Sequence, residues 1–238
     1  APQRDFCKEL TDAVRKRDMK MCMYYSLTEW TNPLYRWTVD TLKSIDEYVE
    51  KHLHPQFKEM VDMFSPSLVF SDGDWDFDYK TFKSDELVSY YFDKVGEEAI
   101  VNDRWGGGFD YGYVTPEYSE AIKQTERPWA ECRGLSRSFG LNRNADLESY
   151  LTSEELIRHF VRLVAAGGGL TINVGPAADG SIPLLQQERL SDLGQWLEIN
   201  GEAIYGCTTF TKSEESYDVL LPRADKQIDF DWVRNAPL

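Results

Sequence analysis

An apolar run that stops at a carboxylate is the point in this sequence where a reactive site is easiest to build. Leu68, Val69 and Phe70 show no polar alternation, so they read as a strand buried on both faces, with Ser71 and Asp72 where it leaves the core. In parallel α/β folds, reactive groups collect at the C-terminal ends of strands, because loops there vary without disturbing the core. Gly73 and Trp75 follow, which would give the carboxylate an aromatic wall. A second strand-like segment, 99–105, ends in Asp103 and Arg104, and Glu117 stands in the irregular stretch beyond it. Arg104 near Asp72 would favour the ionised carboxylate. Two carboxylates at one mouth, one ionised and one holding a proton, form the arrangement of retaining glycosidases, in which they lie about 5–5.5 Å apart.

Rival chemistries fit less well. Asp72, Asp74, Asp76 and Asp78 have calcium-loop spacing, but the sixth and twelfth positions, which need Gly and Glu, hold Phe77 and Lys83. The glycine triplets at 106–108 and 167–169 are not phosphate loops: the second ends a helix, and no helical pattern opens after the first. The three histidines, His52, His54 and His159, fall at a helix junction and inside a helix, and read as solvated or structural. Cys7, Cys22, Cys132 and Cys207 form no CxxC pair, which argues against a zinc or dithiol site; Cys22, inside an apolar strand, reads as a buried thiol.

The elements that would carry these groups alternate. Residues 3–17 read as a helix with Phe6, Leu10, Ala13 and Val14 on one face, and 21–26 as a strand. Residues 42–64 read as two helical pieces with Pro55 in the first turn of the second. After the strand 68–72, Ser84 is expected to cap a helix to about 95, and 99–105 is a third strand. Strands at 131–139 and 169–176 bracket a periodic helix capped by Ser153, and 184–199 is a further helix. AIYGCTTF (203–210) and DVLLPR (218–223) read as short antiparallel strands outside the alternation. Repeated βα units mean a parallel sheet. Five units are visible where an eight-unit barrel has eight, which suggests a (β/α)8-like barrel lacking its first strands; a doubly wound sheet is the alternative, without its glycine-rich first turn. The expected division is 1–206, the C-terminal portion of the barrel, and 207–238, the start of a β-sandwich or a linker to a further β-rich domain.

Composition sets outer bounds. With 238 residues, 42% hydrophobic and 28% charged, the chain can bury a large core. A formal net charge of −15 and no dense basic run argue against nucleic-acid or acidic-membrane partners. No run of 18 apolar residues is present, so no membrane span is expected, and the opening APQRDF has no signal-peptide pattern. Seven Trp and thirteen Tyr could stack on sugars or simply fill the core.

Seven motifs, taken together, resemble family 29 α-L-fucosidases. They are YYSLTEW with PLY (24–35), LVFSDGDW (68–75), VNDRWG (101–106), TPEY (115–118), RSFGLNR (137–143), GGGLTINVGPAADG (167–180) and NGEAIYG (200–206), in the family's order and spacing. The resemblance implies a (β/α)8-like barrel followed by a β-sandwich, hydrolysis of terminal α-L-fucosides with retention, and no metal or other cofactor. It implies Asp72 as nucleophile, Glu117 as general acid/base, and Tyr25, Trp75, Arg104 and Phe139 as pocket residues. A fucosylated oligosaccharide or glycoconjugate is the implied substrate, in a secreted or periplasmic setting. An upstream segment or partner chain would complete the barrel. Leu141 stands where the family commonly has Tyr, and Ala130 where Glu often follows Trp129. The rival reading is a non-catalytic sugar-binding barrel or an inactive fragment of such an enzyme.

Overall fold

The computed structural model describes residues 3–35, 44–119 and 126–213. The chain divides into two compact units, Ala1–Thr115 and Pro116–Leu238. In the first, helix α1 (Phe6–Arg15) leads to strand β1 (Cys22–Ser26). A continuous helical stretch follows, made of α2 (Asp46–Tyr48), a π-helical turn (Val49–Leu53) and α3 (His54–Phe64). Then come β2 (Leu68–Asp72), the short α4 (Tyr79–Phe82), α5 (Ser84–Val95) and β3 (Ile100–Val101). The three strands are parallel in the order β1-β2-β3, with Tyr24 opposite Phe70, Ser26 opposite Asp72 and Val69 opposite Val101.

Strand periodicity of two then sorts the side chains. Met23, Tyr25, Val69, Ser71 and Val101 face the helices and are buried. Of these, Tyr25, Val69 and Val101 meet Val49, Leu53, Phe57 and Val61 of the long helical stretch and Leu87 and Tyr91 of α5 in one apolar core. Cys22, Tyr24, Phe70 and Asp72 have the opposite parity. Cys22, expected to be a buried thiol, is therefore exposed. On α1, Phe6 and Leu10 are exposed rather than inward, while Val14 packs on a cluster of Met21, Met23 and Phe64.

Local boundaries moved where side chains compete with backbone. Ser84 does not cap α5: Lys83, left-handed at φ 52°, holds that position, and Asp78 instead caps α4 by accepting the Thr81 N–H at 2.8 Å. β3 spans two residues rather than seven, because the chain turns away after Val101 and the Asn102 side chain takes over the pairing described below. Gly112, at φ 87°, lets the returning chain approach: a Cβ there would lie 2.3 Å from the Asn102 carbonyl oxygen.

In the second unit, β4 (Ala130–Gly134) and β5 (Gly169–Asn173) pair in parallel, with Cys132 opposite Thr171. Helix α6 (Ser153–Ala165) buries Leu156 and Leu163, and α7 (Leu184–Asn200) follows β5. The cap of α6 is Thr152 rather than Ser153, in a reciprocal capping box with Glu155. The glycines after α6 have separate tasks. Gly167 turns the chain out at φ 83°, and at Gly168 a Cβ would lie 2.3 Å from the Trp129 indole. Residues 203–210, expected as a strand, close the helix with a short turn and enter no sheet; 218–223 lies outside the described residues. Among the described residues the strands form two parallel sheets, of three and two strands, and not a closed eight-stranded barrel.

Candidate active site

The ends of β2 and β3 are locked together by a reciprocal amide clamp. Asn102 accepts the Ser71 N–H at 2.8 Å through Oδ1, and its Nδ2 donates to the Ser71 carbonyl at 2.8 Å. Both residues are fully buried, so these bonds replace a lost strand ladder where water cannot. The Ser71 hydroxyl also donates to the Arg104 carbonyl. The clamp fixes the point where the two segments leave the sheet, and just beyond it the side chains of Asp72 and Arg104 meet.

Asp72 is then held from both sides. Arg104 Nη1 lies 2.9 Å from its Oδ1, and the Tyr24 hydroxyl donates to Oδ2 at 2.6 Å. Partial burial alone would raise the carboxyl's pKa. The phenol and the guanidinium outweigh it and hold the group below its ordinary range, so Asp72 is ionised at neutral pH. Arg104 is itself fixed: Nε donates to Thr115 Oγ1 at 3.0 Å and Nη2 to the Thr115 carbonyl at 2.8 Å. Asp103 Oδ1 accepts the Thr115 hydroxyl at 2.8 Å and its N–H at 3.1 Å. The guanidinium also lies over the Phe70 ring, 5.4 Å from its centroid, and Phe70 stacks on Tyr24 at 6.1 Å. Two residues on, Asp74 has the contrary environment: burial, with a smaller contribution from Asp72, raises its pKa.

Tyr25, expected in the pocket, is not beside Asp72. It is buried on the helix side with its hydroxyl 3.2 Å from the Leu53 carbonyl and 3.0 Å from Gln56 Oε1, and burial raises its pKa strongly. Tyr24 takes the place expected of it, because adjacent strand residues face opposite ways. Trp75 is exposed at the rim, its ring 6.5 Å from that of Trp30.

Glu117 and Phe139 belong to the second unit. Glu117 bridges to Cys132 of β4, where the Cys132 N–H donates to the Pro116 carbonyl at 2.8 Å. Its side chain is exposed. The neighbouring Tyr118, at φ 45°, accepts the Gly134 N–H at 3.0 Å and meets the Phe139 ring edge-to-face at 5.3 Å. Within this unit, Tyr118 thus links the Glu117 segment to Phe139. Among the described residues, no group of three or more His, Cys, Asp or Glu is placed to hold a metal ion.

Tyr24, Ser71, Asn102 and Thr115 were not among the residues expected at the site. Asn102 sits beside Asp103 in the motif that supplied Arg104, but a buried asparagine's partner is visible only once the two strands are paired.

A parallel βα framework with an ionised carboxylate at its strand mouths, braced by a guanidinium and a phenol, defines a βα protein with a carboxylate site. The comparisons narrow the class. The family model described as alpha-L-fucosidase matches residues 1–202, and this chain belongs to that family. It is 34% identical to the alpha-L-fucosidase of Dictyostelium discoideum over 229 residues, covering 92% of this chain and 49% of the relative. It is 34% identical to the plasma alpha-L-fucosidase of Rattus norvegicus, covering 90% and 49%. Among solved structures, it resembles the Thermotoga maritima alpha-fucosidase in complex with a mechanism-based inhibitor, with 35% identity, a TM-score of 0.71 and coverage of 89% of this chain and 49% of that one. It also resembles alpha-L-fucosidase isoenzyme 1 from Paenibacillus thiaminolyticus, with 25% identity, a TM-score of 0.78 and coverage of 90% and 57%. The chain spans about half the length of the curated relatives it matches. No helix among the described residues is long and apolar enough to cross a membrane.

Proposed function

We propose that this chain carries the nucleophile half of a retaining exo-glycosidase that hydrolyses terminal α-L-fucosides. The observation that carries this reading is the state of Asp72: ionised, aimed out of a strand end, and held by Arg104 and Tyr24. Its carboxylate attacks the anomeric carbon of fucose, the glycosidic C–O bond breaks, and Glu117 gives its proton to the leaving oxygen. Glu117 then takes a proton from the water that displaces Asp72 from the fucosyl ester, regenerating both groups. Trp75 and Phe139 offer apolar faces to the substrate.

We also read the two sheets as arcs of one (β/α)8-like barrel, completed by an upstream segment or partner chain. The outward parity of Cys22, Tyr24 and Ile100, all exposed, supports this, since barrel interiors are otherwise filled. A fucosylated oligosaccharide or glycoconjugate is the substrate. A secreted setting follows the relatives named plasma alpha-L-fucosidase.

In the full-length protein, Asp72→Ala should lower kcat/KM on an aryl α-L-fucoside by about 10³-fold or more, and azide should restore turnover as β-fucosyl azide. Near-normal turnover without azide would refute the nucleophile assignment.

A further inference from the structure

Two tryptophans stand in water beside the candidate nucleophile. Trp30, in the loop after β1, is 60% exposed, and Trp75, in the loop after β2, is 61% exposed. Their ring centroids are 6.5 Å apart, with planes at 57°. One exposed indole is ordinary. Two indoles facing each other across the mouth of the same strands form an apolar ledge that water covers poorly.

The ledge is pinned by the residues next to each ring. Glu29, just before Trp30, has its Oε2 2.5 Å from His52 Nε2, and its carbonyl accepts the Asn32 N–H at 2.9 Å. Asp76, just after Trp75, accepts the Tyr35 hydroxyl, and Tyr35 is buried in the core. Tyr35 belongs to the loop of Trp30 and Asp76 to that of Trp75, so this bond ties the two loops together. Gly73 lets them pack closely: a Cβ there would lie 2.6 Å from Thr28 Oγ1 and 2.9 Å from Ser26 Oγ. Rings presented this way lose little freedom on binding.

The ledge also lies within reach of the reacting carboxylate. Trp75 is three residues past Asp72, at most ~10 Å of chain. The loop of Trp30 leaves β1 at Leu27, whose N–H donates to the Asp72 carbonyl at 2.8 Å.

We infer that Trp30 and Trp75 form the subsite for the leaving group, and that its occupant is a neutral pyranose ring joined to the fucose. This rests on the fucoside-hydrolase reading above. Two tilted indoles offer apolar faces to the C–H faces of a sugar, while the Glu29 and Asp76 carboxyls, each adjacent in the chain to one of the rings, can accept its hydroxyls. Those same acidic groups, on a chain of net charge −15, disfavour sulfated or sialylated rings.

The test compares two substrates in the full-length protein: an α-L-fucosyl-β-D-galactoside, and α-L-fucosyl fluoride, which has no second ring. Trp30→Ala should lower the ratio of kcat/KM for disaccharide over fluoride about tenfold, and Trp30→Phe should recover most of it. An unchanged ratio, whether both rates hold or fall together, overturns the subsite. Lactose, which lacks fucose, reads the ledge without turnover. It should bind the wild type in the millimolar range by NMR titration, more weakly after Trp30→Ala, and sialyllactose should bind less well than lactose. Absent lactose binding, or binding indifferent to Trp30→Ala, overturns the inference. A wild type that cleaves neither fucoside refutes the hydrolase reading alone, and lactose binding then decides the ledge.

Discussion

Asp72 and Glu131 are both strand carboxylates met by a basic side chain, and they do opposite things. Asp72 is the last residue of β2, partly open, with a guanidinium on one oxygen and a phenol on the other. Glu131 is the second residue of β4 and wholly buried. His159 of α6 lies 2.7 Å from its Oε2, and Arg133 Nη1 stands 3.8 Å from its Oε1, beyond hydrogen-bond range. The first carboxylate has lone pairs left over and a path to a ligand. The second fastens a helix to a strand. Position along the strand and side of the sheet decide between the two, not the pairing of acid with base.

Swapping chemistry at the two positions should separate activity from stability. Asp72→Asn keeps the shape and one acceptor oxygen but removes the proposed nucleophile, so turnover of an aryl fucoside should fall about 10³-fold or more, while the thermal midpoint falls by only a few degrees. Glu131→Ala should do the reverse. It strands His159 inside the protein at a cost of about 2–4 kcal/mol, which lowers the midpoint by roughly 10 °C in a chain of this size. Equal activity losses in both variants measured well below their midpoints would erase the distinction.

The pH dependence sharpens the same contrast. Folding holds the Asp72 pKa below its ordinary value, so its contribution to stability is present above the unfolded carboxylate pKa of about 3.9 and fades as pH falls through the lower, folded value. The acid limb of kcat/KM should therefore lie below the usual carboxylate range in the free protein, and an Arg104→Met variant should move it upward. A limb that stays in place would mean that another group titrates there.

Much of this is legible in the sequence. Uninterrupted apolar residues followed by Ser-Asp locate β2 and the carboxylate at its end, and glycine after α6 marks the exit of that helix. What the sequence hid depended on pairing. MCMYYS has no alternation, so nothing in it tells which tyrosine faces the site; only the register of Tyr24 with Phe70 settles that. Strand 99–105 looked long because Asn102 reads as one more strand residue, when its side chain has replaced the ladder. Glu131 was hidden in another way. A carboxyl at 130 would leave β4 on the opposite face, so one position of offset changes its surroundings altogether.

The smallest effect tests that parity directly. Tyr24→Phe removes the hydroxyl on Asp72 Oδ2 and should cost about tenfold in kcat/KM, with the acid limb rising because one of the groups lowering the Asp72 pKa is gone. Tyr25→Phe removes a hydroxyl that serves only Leu53 and Gln56, so it should cost about 1 kcal/mol of stability and leave kcat/KM within about twofold. The two variants differ by one position and one oxygen each. If Tyr25→Phe were the one to move the acid limb, β1 would have to sit one residue out of register, which would turn Met23 away from its cluster and bring Cys22 into it.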